Sequence, residues 1–183
     1  MYSLFSKILD TSHEIVEIKY FTALISHRAG NENSMLRQKT YLKAIQAYCP
    51  HINIFYGHYL THIIKAKHVQ PPPDFVKIYK TEEKGTDVNI AAHLINDAWL
   101  DHYDCALVVS NDSDLAESLK LIKQHHNKKL IGVAFPSTDP KRKPSRELIQ
   151  YADFVKPIRQ GLLADSQLPE KIPNTGLHKP KGW

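Results

Sequence analysis

The spacing of apolar side chains along this chain switches repeatedly between a strand-like and a helix-like period. Residues 15–25 are β-branched and aromatic and read as a strand, after a short helix ending near residue 9. A polar loop spans 27–33. From Ser34, a good N-cap, a helix is expected to about Tyr48, with Leu36, Leu42, Ile45, Tyr41 and Tyr48 on its apolar side and Pro50 closing it. Residues 52–56 read as a second strand. An irregular arm is expected over 57–74, because Pro71, Pro72 and Pro73 fit neither helix nor central strand. A short edge strand at 75–79 follows. Past Gly85, the residues Val88, Ala91, Ala92, Ile95 and Trp99 repeat at helical spacing. Strands are then expected at 104–110, 130–135 and 154–158, with helices at 115–126 and 145–151 between them. This alternation predicts an α/β fold: three layers, α/β/α, around a mostly parallel sheet. Residues 1–160 form one domain in this reading. Residues 161–183 contain Pro169, Pro173, Pro180, Gly176 and Gly182 and read as an extended tail.

Composition narrows the setting. The chain has 183 residues, 42% hydrophobic and 23% charged, which suits one globular domain with a real core. No apolar run approaches the roughly 20 residues needed to cross a bilayer, and the first residues lack the pattern of a secretory signal. Cys49 and Cys105 lie in or beside apolar segments and read as reduced thiols, which points to the cytoplasm. Net charge is +5, a weak pointer to nucleic acid. Between Lys120 and Arg146 there are eight Lys or Arg against the single acid Asp139. That stretch is either a solvated surface or a phosphate-contacting rim.

The candidate chemistry rests on Asp87, Asp112 and Asp114. Asp112 and Asp114 follow the apolar run 105–109, where a parallel strand presents its carboxyl end to ligands. Asp87 opens the helix after Gly85. Three carboxylates meeting there would repel one another unless a hard cation such as Mg²⁺ or Mn²⁺ sat between them. Ordinary roles compete: Asp87 and Asp114 as helix N-caps, Asp112 in an Asx-turn. Ser110 and Asn111 add short polar groups at the same strand end, while Lys80 and Lys84 flank a turn that Gly85 leaves open to close approach. Ser145 and Arg146 start a helix and are further phosphate-binding candidates. His93 either faces the site, where it could orient water or bind metal, or faces solvent and pairs with Asp97, four residues on. His58, His62 and His68 do not have the spacing of a closed zinc site with the two cysteines. There is no Gly-rich phosphate loop and no Gly-x-Ser-x-Gly elbow.

Several segments together resemble the NYN family of PIN-like ribonuclease domains. They include Lys-Thr-Glu-Glu-Lys-Gly-Thr-Asp-Val at 80–88, His-Leu-Ile-Asn-Asp-Ala at 93–98, Val-Ser-Asn-Asp-Ser-Asp-Leu at 109–115 and Pro-Ser-Arg-Glu-Leu at 144–148. The resemblance implies a PIN-like fold, RNA as partner, and Mg²⁺- or Mn²⁺-dependent cleavage, with metal-binding carboxylates at Asp87, Asp112 and Asp114. Many relatives have an aspartate where this chain has His93. Relatives also begin with a central strand ending in a motif like Val-Asp-x-x-Asn. Here the chain opens inside the following helix, so either the start is internal to a longer protein or the copy is inactive. Two rivals stand beside a nuclease. One is an NYN-fold RNA- or partner-binding module with an incomplete metal site. The other is another Asp-x-Asp metal enzyme, a phosphatase or sugar-nucleotide transferase. Ala116 stands where the haloacid-dehalogenase pattern needs Thr or Val, which weakens the phosphatase.

Overall fold

The computed structural model describes residues 1–25, 32–137 and 143–180. Most of the expected 27–33 loop lies outside these residues, as do Asp139, Lys141, Arg142 and Gly182. The elements run α1 (Tyr2–Ile8), β1 (Ile18–Ala23), α2 (Glu32–Tyr48), β2 (Ile52–Lys67), β3 (Phe75–Lys84), α3 (Thr86–Trp99), β4 (Cys105–Val109), α4 (Ala116–His125), β5 (Leu130–Pro136), α5 (Arg146–Ile149), β6 (Phe154–Ile158) and α6 (Gln160–Ala164). A single 3-10 turn, Ser113–Leu115, precedes α4.

Strands pair in the orders β1-β2-β3 and β4-β5-β6. Among these six strands β2 with β3 is antiparallel, and β1–β2, β4–β5 and β5–β6 are parallel. Alternation along β5 shows how the layers form. Ile131 and Val133 point to a cluster with Leu119 and Ile122 of α4, Ala98 of α3, Val108 of β4 and Leu148. Ala134 points the other way, to Leu4 and Ile8 of α1 and to Ile158. A third cluster joins Leu42 and Ile45 of α2, and Cys49 just past its end, to Tyr20, Ile52 and Ile54 of the other half-sheet. Helices thus cover both faces, and the expected three-layer, mostly parallel architecture is present.

Among the described residues, neither β1 nor β4 pairs along its inner edge, and the two do not pair with each other. The consequence shows in burial. β5, laddered on both sides, has five consecutive buried residues, whereas β4 has one. Unpaired strand edges in a covered sheet leave backbone polar groups to be satisfied elsewhere. A protein extended by an apolar strand ahead of Met1 is therefore expected to melt at a higher temperature. An unchanged midpoint in calorimetry would count against a strand in that position.

Three expectations need correction. Residues 57–74 are not an irregular arm. β2 is 16 residues long, and β3 runs beside it from His58 opposite Lys84 to Lys67 opposite Phe75. The prolines sit in the turn, where they break no ladder, and the β-branched and aromatic residues on either side decide the rest. The buried face of α3 is rotated from the expected one. Ile90, Ala91, Leu94, Ile95 and Ala98 meet the core, whereas Val88 is 71% exposed and Trp99 49%. Leu36 of α2 is also exposed, because Leu42, Ile45 and Cys49 already fill the space over β1 and β2.

Gly57 marks where β2 leaves β1 and continues beside β3. A Cβ there would sit 2.6 Å from the Lys84 carbonyl oxygen and 2.8 Å from Thr86 Oγ1. Gly57→Ala is expected to cost about 1–3 kcal/mol, the usual scale of overpacking, because the first obstacle is backbone. Urea unfolding would measure it.

Candidate functional site

The β4 strand, buried on one side by Val108, delivers Ser110, Asn111 and Asp112 to its carboxyl end. Local hydrogen bonds hold this turn. Ser110 Oγ accepts from Asp112 N at 3.1 Å, and Asp112 Oδ1 accepts from Asp114 N at 3.0 Å. Asp112 therefore caps the 3-10 turn, as the ordinary reading allowed, and among the described residues its second oxygen has no hydrogen-bond partner. Asp114 caps nothing, and neither does Asp87: the N-cap of α3 is Gly85, in the left-handed region at φ 93°. Asp87 lies in the first turn of α3, where the helix dipole favours a negative charge.

The three aspartates are brought within electrostatic reach of one another. The Asp87 carboxyl is raised above its ordinary value, first by desolvation and then by the negative charges of Asp112, Glu83 and Asp114. Glu83 is a neighbour the sequence reading did not single out. It accepts a hydrogen bond from the Thr86 hydroxyl at the β3–α3 turn. Its position four residues before Asp87 across a glycine turn was the available signal.

Ligating geometry is a stricter test. Among the described residues, no group of three or more His, Cys, Asp or Glu side chains is arranged to hold a metal ion. The aspartates share an electrostatic field, not a closed coordination sphere. Their chemistry still fits a hard divalent cation, because the donors are carboxylate oxygens whose mutual repulsion a cation relieves.

The remaining candidates have other partners. Lys80 and Lys84 both grip Glu82, at 2.6 and 3.1 Å, and hold its carboxyl down to about 2. Asn111 straps the strand end to the approach to α5: its Oδ1 accepts from Ser145 N at 2.7 Å, and its Nδ2 donates to the Lys143 carbonyl at 3.2 Å. Ser145 caps α5, accepting from Leu148 N. Arg146 is exposed and, like Lys143, makes no ion pair among the described residues.

His93 takes neither expected orientation. It packs against Phe55 and Phe21 of the sheet, with ring centroids 4.2 and 5.5 Å away. Asp97 is bound instead to Lys19 of β1, at 2.5 Å. Three lysines of the basic stretch already have partners, and Lys141 and Arg142 lie outside the described residues. Lys120 pairs with Glu117, Lys123 with Asp153, and Lys129 is buried on Asp101 and the Tyr103 carbonyl.

The NYN domain family matches residues 5–159. The chain is 34% identical to 6-hydroxy-3-succinoylpyridine 3-monooxygenase HspA of Pseudomonas putida (strain DSM 28022 / S16), over 93% of this chain and 58% of that protein. It thus spans little more than half the length of that relative. The crystal structure of a protein of unknown function from Vibrio parahaemolyticus RIMD 2210633 superposes with a TM-score of 0.54 at 20% identity, covering 87% of this chain and 78% of the other. That likeness is one of fold. The family match runs over residues 5–159, most of the chain, and the chain belongs to the NYN domain family, with its nuclease-like PIN-type fold.

Proposed function

We propose that this domain hydrolyses phosphodiester bonds in RNA, using Mg²⁺ or Mn²⁺ held by Asp87, Asp112 and Asp114. The supporting observation is positional: Asp112 and Asp114 follow the carboxyl end of β4 and Asp87 lies in the first turn of α3, near enough that their charges add to desolvation in raising the Asp87 carboxyl. When bound there, a divalent ion supplies an acidified water and positive charge for the leaving oxygen. The protein's own part is positioning. Asp112 is fixed by its cap to Asp114 N, and Asn111 ties Ser145 and the exposed Arg146 to the same strand end, where Arg146 can hold a phosphate. Lys80 and Lys84 reach phosphate by exchange from Glu82. His93 lies against the sheet, so any influence it has on the site passes through the packing of α3.

Labelled single-stranded RNA incubated with Mn²⁺, Mg²⁺ or EDTA tests this. Cleavage that needs the cation and is lost in EDTA is expected. Chelator-insensitive RNA binding without cleavage would move the binding-module reading ahead. The relative named as a monooxygenase supports one further reading, a domain of an oxygenase acting on 6-hydroxy-3-succinoylpyridine. Oxygen uptake dependent on that compound, with RNA left intact, would select it.

A further inference from the structure

The β2–β3 hairpin projects beyond β1, and its two faces differ. Residues opposite each other in an antiparallel ladder point the same way, so the register sorts them. One face carries Thr61 with Thr81, Ile63 with Tyr79, Lys65 with Lys77, and Lys67 with Phe75. All eight are exposed. The other face is partly covered at Ile64, Ala66 and Val76, and nearer its base carries the Lys80–Glu82–Lys84 group.

The exposed face is unfavourable as it stands. Lys65 lies directly opposite Lys77, a like-charge pair that weakens a ladder, with Lys67 two residues along on the same side. None of the three makes an ion pair among the described residues. Around them, Tyr79 is 76% exposed, Phe75 60% and Ile63 60%. Three unpaired cations interleaved with flat rings are the two components of a single-stranded nucleic-acid surface: charge along the backbone and platforms for bases. A second copy of this chain fits poorly, because face-to-face association would set lysine against lysine.

We propose that this hairpin face, built from Lys65, Lys67, Lys77, Phe75 and Tyr79, binds single-stranded nucleic acid and feeds it toward the Asp87 site. β3 leads straight into α3, whose first turn carries Asp87. From Lys77 to the end of β3 is about 23 Å at ~3.3 Å per residue. At ~3.4 Å per stacked nucleotide, a strand touching both places needs about seven nucleotides. The choice of RNA over DNA rests on the nuclease reading; the surface itself does not.

Fluorescence anisotropy in EDTA, with 6-, 12- and 18-nucleotide single-stranded RNA and DNA, tests the proposal on the full chain. Wild type is expected to bind the 12- and 18-mers at least tenfold tighter than the 6-mer. The triple variant Lys65→Gln/Lys67→Gln/Lys77→Gln relieves the like-charge pair, so it should fold at least as well. Its affinity should fall tenfold or more, and the slope of log affinity on log salt should flatten by about 2, since each neutralised phosphate on a single strand contributes ~0.7. Phe75→Ala/Tyr79→Ala should weaken binding about tenfold or more while leaving that slope unchanged, the signature of lost stacking. DNA bound as tightly as RNA would make the surface general for single strands. Unchanged affinity in both variants, or wild type that self-associates through the hairpin in sedimentation without binding either nucleic acid, would overturn the proposal. The nuclease reading fails separately: binding lost in the hairpin variants with no cleavage by wild type would remove only that reading.

Discussion

Asp112→Asn is expected to abolish cation-dependent RNA cleavage while making the metal-free protein more resistant to unfolding. The two effects have one cause. Asparagine keeps an oxygen to accept from Asp114 N, so the turn after β4 survives. It removes the charge that contributes to raising Asp87. The loss in activity should be on the order of a hundredfold or more, the scale of removing one preorganised electrostatic group from a transition state. The stability gain follows from the direction of the Asp87 shift. Asp87 sits above its ordinary 3.8, so the folded protein holds that proton more tightly than the unfolded chain does. This contribution is complete below the ordinary value and is lost as pH rises through the raised folded one. At neutral pH, the metal-free protein therefore carries the desolvation of the Asp87 charge, the larger cause, and the repulsion from Asp112, Glu83 and Asp114, of which the variant relieves the Asp112 part. Thermal unfolding in EDTA should give a higher midpoint for the variant. Added Mn²⁺ should raise the midpoint of wild type and hardly move that of Asp112→Asn. A variant that melts lower in EDTA and still responds to Mn²⁺ would show that Asp112 is a structural cap and no more.

The legible parts of this protein are those where local pattern and tertiary role coincide. The run 105–109 is apolar because β4 packs on α4 and α3 on one side and near α1 on the other, and Asp112 follows it because a strand must end in a turn. The helix after Gly85 was visible in the helical period of Val88, Ala91, Ala92, Ile95 and Trp99. Its facing was not, because Ala91 and Ala92 look alike in sequence and only the position of β4 decides which is inside. The hairpin was missed because an exposed ladder has no buried stripe to mark it: one face of β3 carries Phe75, Lys77, Tyr79, Thr81 and Glu83, the other Val76, Ile78, Lys80, Glu82 and Lys84, and neither alternates cleanly between apolar and polar. The phosphate roles read for Lys80, Lys84, Ser110 and Asn111 came from residue type. Which of them is already engaged depends on Glu82 and on the distant Ser145 backbone, which sequence spacing does not reveal.

Lys19 and Asp97 show the same limit with a larger energetic consequence, and Asp97→Ala is expected to be among the most damaging single changes in the chain. Asp97 is 7% exposed and binds Lys19 at 2.5 Å; Lys19 Nζ is also 3.5 Å from Glu17 and lies over the Phe55 ring. The alanine variant removes the short partner of a mostly buried ammonium and leaves it Glu17 and His93 Nδ1, each at 3.5 Å, so the cost is expected at the low end for breaking a buried pair, about 3 kcal/mol. In a domain of this size, that lowers the midpoint by about 6–12 °C. The pair joins β1 to α3. Because β1 and β4 do not pair with each other, α3 is a principal tie between the half-sheets: its Ala98 packs on β4's side while Asp97 holds β1. Weakening that tie should also disturb the Asp87 end of the same helix, so cation-dependent stabilisation should diminish with it. The double variant Lys19→Met/Asp97→Leu separates lost charge pairing from lost packing. Apolar replacement of a buried pair is often neutral or stabilising, so the double variant should recover most of the midpoint. A double variant as unstable as Asp97→Ala would mean that the ion pair sets the register between β1 and α3 by its geometry, and that apolar contact cannot take its place.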